Sequence, residues 1–478
     1  MLRFCCGYIF SQQKVLQFPA TLALFCVKHV SSTTSFLAPS LADTLVASSR
    51  HIQGVLAGQS LTDCLAATPD SVRASSQAVS YHVLRRMGMA RHLRQLMVPR
   101  KPQSAWLEAL LLVSLALVET AAQAEQQPEV FADRPDIPIY AVHTVVDQAV
   151  EAAQSEPALR PFKALVNGTL RRFLRERDTL IATVLNKQEA LWNHPQWWIR
   201  RLKKAYPKQY ESILQVSNEP GPLCLRVNVR RCSVQRLLAL FEQVGIQAWT
   251  PGGVAVILEQ AQPVTQLPGF AEGWWSVQDY SAQQAGHLLP IRDGMHVLDA
   301  CAAPGGKTAH LLEQADVSLV ALDSDPTRLE RVGHTLERLG LQSDRVQIKA
   351  ADAANLDAWW DGVPFDAVLA DVPCTASGVV RRHPDIRWLR RDADVEATAA
   401  LQRKIVDALW RTVKPGGHLL YATCSVFPQE GAVQADAFSY RHPDAQRLPA
   451  PGQILPTAKQ QGHGSGDGFF YALFRKEL

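Results

Sequence analysis

From residue 295 onward, apolar runs of strand length repeatedly end in an acid: "MHVLDA", "SLVALD", "VQIKAAD" and "DAVLAD", closing on Asp299, Asp323, Asp352 and Asp371. Helical patterns separate them, and "GGHLLYATCS" and a late "GFFYALF" follow. Near-continuous apolar strands alternating with helices specify a doubly wound, mostly parallel sheet, whose functional groups gather beyond the carboxyl ends of the strands. The change of period sets a domain boundary near residue 284.

The loop after the first of these strands, "LDACAAPGGKTAHLLEQ", looks like a phosphate loop because it ends Gly305-Gly306-Lys307-Thr308. A P-loop needs a glycine five residues before the glycine of its Gly-Lys pair, and that position is Cys301. The dinucleotide fingerprint G-x-G-x-x-G is also missing. What remains is a strand, a glycine turn and a helix, with a second acid, Asp323, one strand away. A ligand whose hydroxyls rest on that acid fits, and S-adenosylmethionine is such a ligand.

The 478-residue chain is too long for one core, and about three units are expected. Residues 41–185 show apolar positions at helical spacing throughout and form an all-helical domain. Within it "ALLLVSLALV", between Glu108 and Glu119, reads as a buried helix rather than a membrane span. "VHTVVDQAVEAA" and "LVNGTLRRF" resemble the antitermination-factor NusB fold, a helical RNA-binding module. Residues 186–283 alternate strand with helix in a small α/β unit that links the two and meets RNA. Residues 1–40 form a leader, expected to be disordered or dispensable: the first 42 residues hold no Asp or Glu but include Arg3, Lys14 and Lys28, a composition that superficially suits a transit peptide.

The net charge of +4 is too small to imply a nucleic-acid partner, so only local clusters argue for one. "WNHPQWWIRRLKKAYPKQY" places Arg200, Arg201, Lys203 and Lys204 beside Trp192, Trp197 and Trp198. That pattern suits phosphate contact with base stacking, or equally an amphipathic helix with its tryptophan face buried. "VVRRHPDIRWLRR" supplies Arg381, Arg382, Arg387, Arg390 and Arg391, read as a phosphate grip with Arg381 and Arg382 at its centre. The nine cysteines include no C-x-x-C pair, which speaks against a zinc ribbon or disulfide framework and for reduced thiols in a cytoplasmic chain.

Two cysteines, Cys374 and Cys424, each follow an apolar strand of the last domain. Paired thiols beside a methyl donor suit methylation of pyrimidine carbon 5, where a thiolate must first add to carbon 6. An acid near ring N3, offered by Asp371, would drain charge during that addition. These residues do not by themselves say which cysteine attacks.

"DACAAPGGKT", "LADVPCTASGVVRRHPDIRW" and "YATCSVFPQE" resemble the signature segments of the RNA cytosine-5 methyltransferases of the Sun, or Fmu, family. The resemblance extends over residues 41–478. It implies that Cys424 is the nucleophile and that Cys374 assists release. It also implies that Cys301, Ala302, Ala303, Pro304, Gly305, Gly306 and Lys307 hold the methionine end of S-adenosyl-L-methionine, Asp323 its ribose and Asp352 its adenine, with Asp371 at the reacting centre. The expected substrate is small-subunit ribosomal RNA, acted on by a monomer without metal or membrane. Two other readings stand beside this one: an amino-group methyltransferase, which leaves Cys424 unexplained, and a non-catalytic RNA-binding assembly or antitermination factor, which needs neither cysteine.

Overall fold

The computed structural model describes residues 39–132, 134–458 and 464–478; the expected leader lies, but for its last two residues, outside them. The chain divides into two compact units with the break between Leu191 and Trp192.

The unit before the break is helical. Its first helix, Leu41–Leu56, starts where Ser40 accepts a hydrogen bond from the Asp43 amide, a side-chain cap for an otherwise orphaned donor. The apolar run sits in the 22-residue helix Ala105–Gln126, long and apolar enough to cross a membrane by composition. Its side chains from Trp106 to Ala122 are buried inside the protein, and its acids Glu108 and Glu119 are paired with Arg94 and Arg86. It is the core helix of this unit.

In the unit after the break, the small sheet contains β1 (Cys224–Val227), β2 (Ala248–Gly252), β3 (Ala255–Leu258) and β4 (Trp275–Val277). Its order is β2-β3-β1-β4, with neighbours antiparallel, over a core of Leu225, Val227, Phe241, Val256 and Trp275. The large sheet contains β5 (His296–Ala300), β6 (Ser318–Asp323), β7 (Val346–Ala350), β8 (Phe365–Asp371), β9 (Val413–Thr423), β10 (Ala445–Ile454) and β11 (Phe469–Lys476). Its order is β10-β11-β9-β8-β5-β6-β7: β5 to β9 run parallel, and β11 returns antiparallel between β9 and β10. This is the expected doubly wound α/β fold, and its central strands β5, β6 and β8 are buried on both faces.

The expected boundary near 284 falls inside the helix Tyr280–Leu288. Ala282, Ala285 and Leu289 pack with Val297 and Leu319 in the core of the large sheet, so the small sheet and the large sheet share one compact unit. A buried ion pair reinforces the junction: Arg226 on β1 donates from Nε and Nη2 to Glu313 at 2.8 Å each, with both side chains all but fully buried.

Candidate active site

The chain order of the sheet reverses between β5 and β8. Successive strands after β5 are laid down on one side and those from β8 on the other, which opens a crevice at their carboxyl ends. With strands about 4.8 Å apart, the edge reads across as Asp352 after β7, Asp323 ending β6, the Cys301–Lys307 loop after β5, Asp371 and Cys374 at β8, and Cys424 after β9. The sequence-derived candidates on the large sheet are thus collected along one edge.

The loop after β5 has a special backbone. Cys301 has φ 65° and Gly305 φ 98°, and a Cβ at Gly305 would lie 3.0 Å from Val332 Cα, so glycine is required there. A left-handed cysteine costs free energy, the kind of local strain that concentrates at functional sites. Asp323, almost fully buried, accepts from the Ala303 amide at 3.1 Å and from the Asp325 amide at 3.1 Å, which fixes the loop against the end of β6. From behind, Arg226 Nη1 donates to the carbonyl of Gly306 at 2.6 Å. Asp352 is exposed and turns the chain after β7 by accepting from the Ala354 amide at 2.9 Å.

Beneath the loop, Asp299 is fully buried and accepts from Thr308 Oγ1 at 2.6 Å through one oxygen, while its Oδ1 has no hydrogen-bond partner among the described residues. Burial raises its carboxyl from 3.8 to about 7, against the opposing pull of the Thr308 hydroxyl. An orphaned buried carboxylate oxygen beside a glycine cradle fits a ligand with a cationic amino group and a close backbone approach, as S-adenosylmethionine has. At the next strand, Lys307 Nζ donates to Asp371 Oδ2 at 2.7 Å and lies 5.5 Å from the centroid of the Phe469 ring.

Cys374 Sγ and Cys424 Sγ are 3.5 Å apart. They follow adjacent parallel strands, with Asp371 in register with Ala422. Their loops are zipped together: Ser377 and Ser425 hydroxyls bond at 2.8 Å, Val426 N donates to Ser377 Oγ at 2.9 Å, and Gly378 N donates to the Cys424 carbonyl at 2.9 Å. Glu430, which no sequence expectation included, is buried where these loops meet and accepts from Thr375, Thr398 and Ser425. Its signal in the sequence is the acid that closes "YATCSVFPQE", a stretch otherwise of apolar, small or uncharged residues.

The expected phosphate grip at Arg381 and Arg382 is corrected. Arg381 is 2% exposed and pairs with Asp467, also donating to the Thr457 carbonyl at 2.9 Å. Arg382 pairs with Asp467 and with Asp279 at 2.7 Å, and donates to the Pro222 carbonyl at 2.9 Å. Two buried carboxylates facing two guanidiniums form a neutral cluster that joins the loop after Cys374 to the C-terminal segment and to the helix capped by Asp279. Arg387 is fully buried and donates to Asn193, Ser217 and Asn218.

The helix Gln196–Ala205 divides its residues between two faces. Trp198, Ile199 and Leu202 are buried against Val426 and Phe427, with the Trp198 and Phe427 rings 5.0 Å apart. The tryptophan face is therefore core. Arg201 is tied to Asp392 and Glu396, whereas Arg200, Lys203 and Lys204 are exposed.

Residues 286–475 match the family described as 16S rRNA methyltransferase RsmB/F, and residues 194–265 match the ferredoxin-like domain of the RsmF/B-like methyltransferases. The chain is 41% identical over 446 residues to the ribosomal RNA small subunit methyltransferase B of Vibrio cholerae, covering 90% of this chain and 96% of that one. In fold it is similar to a methyltransferase homolog protein from Pyrococcus horikoshii (26% identical, TM-score 0.51, 60% of this chain and 97% of that one). It is also similar in fold to NSun6 from Pyrococcus horikoshii with SFG (19% identical, TM-score 0.51, 59% of this chain and 98% of that one). With a glycine-cradled loop, a strand-end acid and paired thiols along one sheet edge, and with a relative matched over nearly its whole length, the chain belongs to the RsmB/F family of 16S rRNA methyltransferases.

Proposed function

We propose that this chain methylates carbon 5 of a cytosine in small-subunit ribosomal RNA, with S-adenosyl-L-methionine as donor and Cys424 as the attacking residue. Bound in the crevice, the donor supplies a sulfonium methyl group that a carbon nucleophile can take. Support for it comes from the orphaned Asp299 oxygen, the Gly305 cradle and the SFG present in the NSun6 structure. The Cys301–Lys307 backbone would hold the methionine end, Asp323 the ribose hydroxyls and Asp352 the adenine side.

Carbon 5 of cytosine is a weak nucleophile. Addition of the Cys424 thiolate to carbon 6 forms a carbon–sulfur bond and shifts the ring π pair onto carbon 5. The proton held between Lys307 and Asp371, 2.7 Å apart, serves ring N3 as that charge develops. Carbon 5 then takes the methyl group. Its proton passes to the Cys374 thiolate, the double bond re-forms, N3 gives its proton back to the Lys307–Asp371 pair and the Cys424 thiolate is expelled. A paired cytosine hides carbon 6, so the target base is unpaired or flipped out. Arg200, Lys203 and Lys204, exposed on the helix packed against the loop after Cys424, would meet flanking phosphates. The helical unit is proposed to add RNA contacts of its own.

The observation that carries this reading is the 3.5 Å separation of two thiols from adjacent strand ends. Amino-group methylation gives that pair no task. One denaturing gel with labelled RNA and donor tests it. Cys424→Ala should abolish methylation and any protein–RNA adduct, and Cys374→Ala should accumulate the adduct. An adduct with Cys424→Ala alone would exchange the roles, and full activity in both variants would end the carbon-5 reading.

A further inference from the structure

The two cysteine loops share one buried carboxylate. Glu430, in the turn Pro428–Glu430, accepts through Oε1 from the Thr375 amide at 2.7 Å and from Thr398 Oγ1 at 2.6 Å. Through Oε2 it accepts from Ser425 Oγ at 2.6 Å and from the Thr375 hydroxyl. Thr375 and Ser425 are the residues immediately following Cys374 and Cys424. Gln402, also within reach of Oε1, donates to the carbonyl of Pro373 at 2.9 Å, the residue just before Cys374.

A carboxylate taken out of water is costly unless charged hydrogen bonds fill its lone pairs. The donors here come from both loops, so Glu430 is satisfied only when the loops are together. Further links between the loops run from Ser377 and Gly378 to Val426 and the Cys424 carbonyl, past Thr375, whose amide is held by Glu430 and whose carbonyl accepts from Arg390 Nε at 3.2 Å.

We propose that Glu430 is a positioning residue that, through Thr375 and Ser425, sets the separation of the Cys374 and Cys424 sulfurs. The proposal rests on the reading of these cysteines as the reacting pair, and the first arm of its test does not need RNA. Phenylarsine oxide condenses with two adjacent thiols to give a cyclic dithioarsenite and water, and it requires the sulfurs to be neighbours. The part of arsenical binding by the full chain that disappears in Cys374→Ala reports this pair. Glu430→Gln should weaken that part at least tenfold while donor affinity stays within threefold, and covalent protein–RNA complex should accumulate because release falters. Thr375→Ser should behave as the parent and Thr375→Val should share the defect. Parental arsenical affinity and no accumulated complex in Glu430→Gln would overturn the proposal. Should that variant fail to fold, Thr375→Val and Ser425→Ala each remove one loop's hydroxyl donor to Glu430, and parental affinity in both would overturn it equally. Loss of arsenical binding in Glu430→Gln, together with no adduct in any protein, would sink the cysteine chemistry and leave the positioning role standing.

Discussion

Lys307 Nζ donates to Asp371 Oδ2 at 2.7 Å, which ties the loop after β5 to the end of β8 across the crevice. The bond puts an ammonium from the loop after β5 beside the carboxylate that ends β8. Lys307→Met should reduce the methylation rate on the order of 100-fold, the scale of a missing proton-transfer partner. Its effect on donor affinity, measured by calorimetry, should be under tenfold. An equal loss in both would make Lys307 a donor-binding residue alone.

Asp323→Ala should weaken S-adenosylmethionine binding by about 1.5–3 kcal/mol, the range for a hydrogen bond to a charged group. The same carboxylate holds the Ala303 amide, so the substitution removes loop order and the ribose acceptor together. Unchanged affinity in a calorimetric titration would move the ribose site elsewhere.

Asp299 gives a pH dependence of defined sign. Burial raises its carboxyl from 3.8 to about 7 in the folded chain, so the folded state holds this proton where the unfolded state has released it. Its contribution to stability is complete below pH ~4 and is lost as pH rises towards 7. At ~1.4 kcal/mol per pKa unit the loss amounts to about 4 kcal/mol at most. Urea unfolding of the donor-free protein should therefore show a fall in stability between pH 4 and 7 that Asp299→Asn lacks. Parallel profiles would remove Asp299 as the source.

Arg226→Ala leaves the buried Glu313 carboxylate without its counter-charge and takes a donor from the Gly306 carbonyl. A loss of about 3–5 kcal/mol in unfolding free energy is expected, and Arg226→Met with Glu313→Leu should recover much of it. A single variant as stable as the parent would show that the junction holds without this pair.

The two basic clusters should part company. Lys203→Glu with Lys204→Glu should weaken RNA binding and lower its salt slope by about 0.7 for each phosphate of single-stranded RNA that is no longer neutralised. Arg382→Glu should instead destabilise the fold, since it places a third acid beside Asp279 and Asp467. Binding isotherms at several salt concentrations, alongside thermal melts, distinguish the two. A parental salt slope in the lysine variant would make that helix a solvated face.

The sequence determined the parallel sheet, the loop after β5 and the placing of Cys374 and Cys424 each just after a strand of that sheet. Each follows from short-range pattern: apolar strands buried on both faces put whatever follows them at one edge. The order of the sheet then set β8 beside β9 and brought the two thiols within reach. Tertiary structure alone decided where the charges point. Whether an arginine faces RNA or a carboxylate depends on partners far along the chain, and Arg382 finds Asp467 85 residues later and Asp279 103 residues earlier. Trp198 likewise became core, with Trp197 half-buried beside it, because Phe427 arrives from the loop after Cys424. Glu430 shows the same limit: local composition marks an acid in a stretch of small and apolar residues, but only the folded chain brings it the hydroxyls of Thr375, Thr398 and Ser425, without which its burial would be prohibitive.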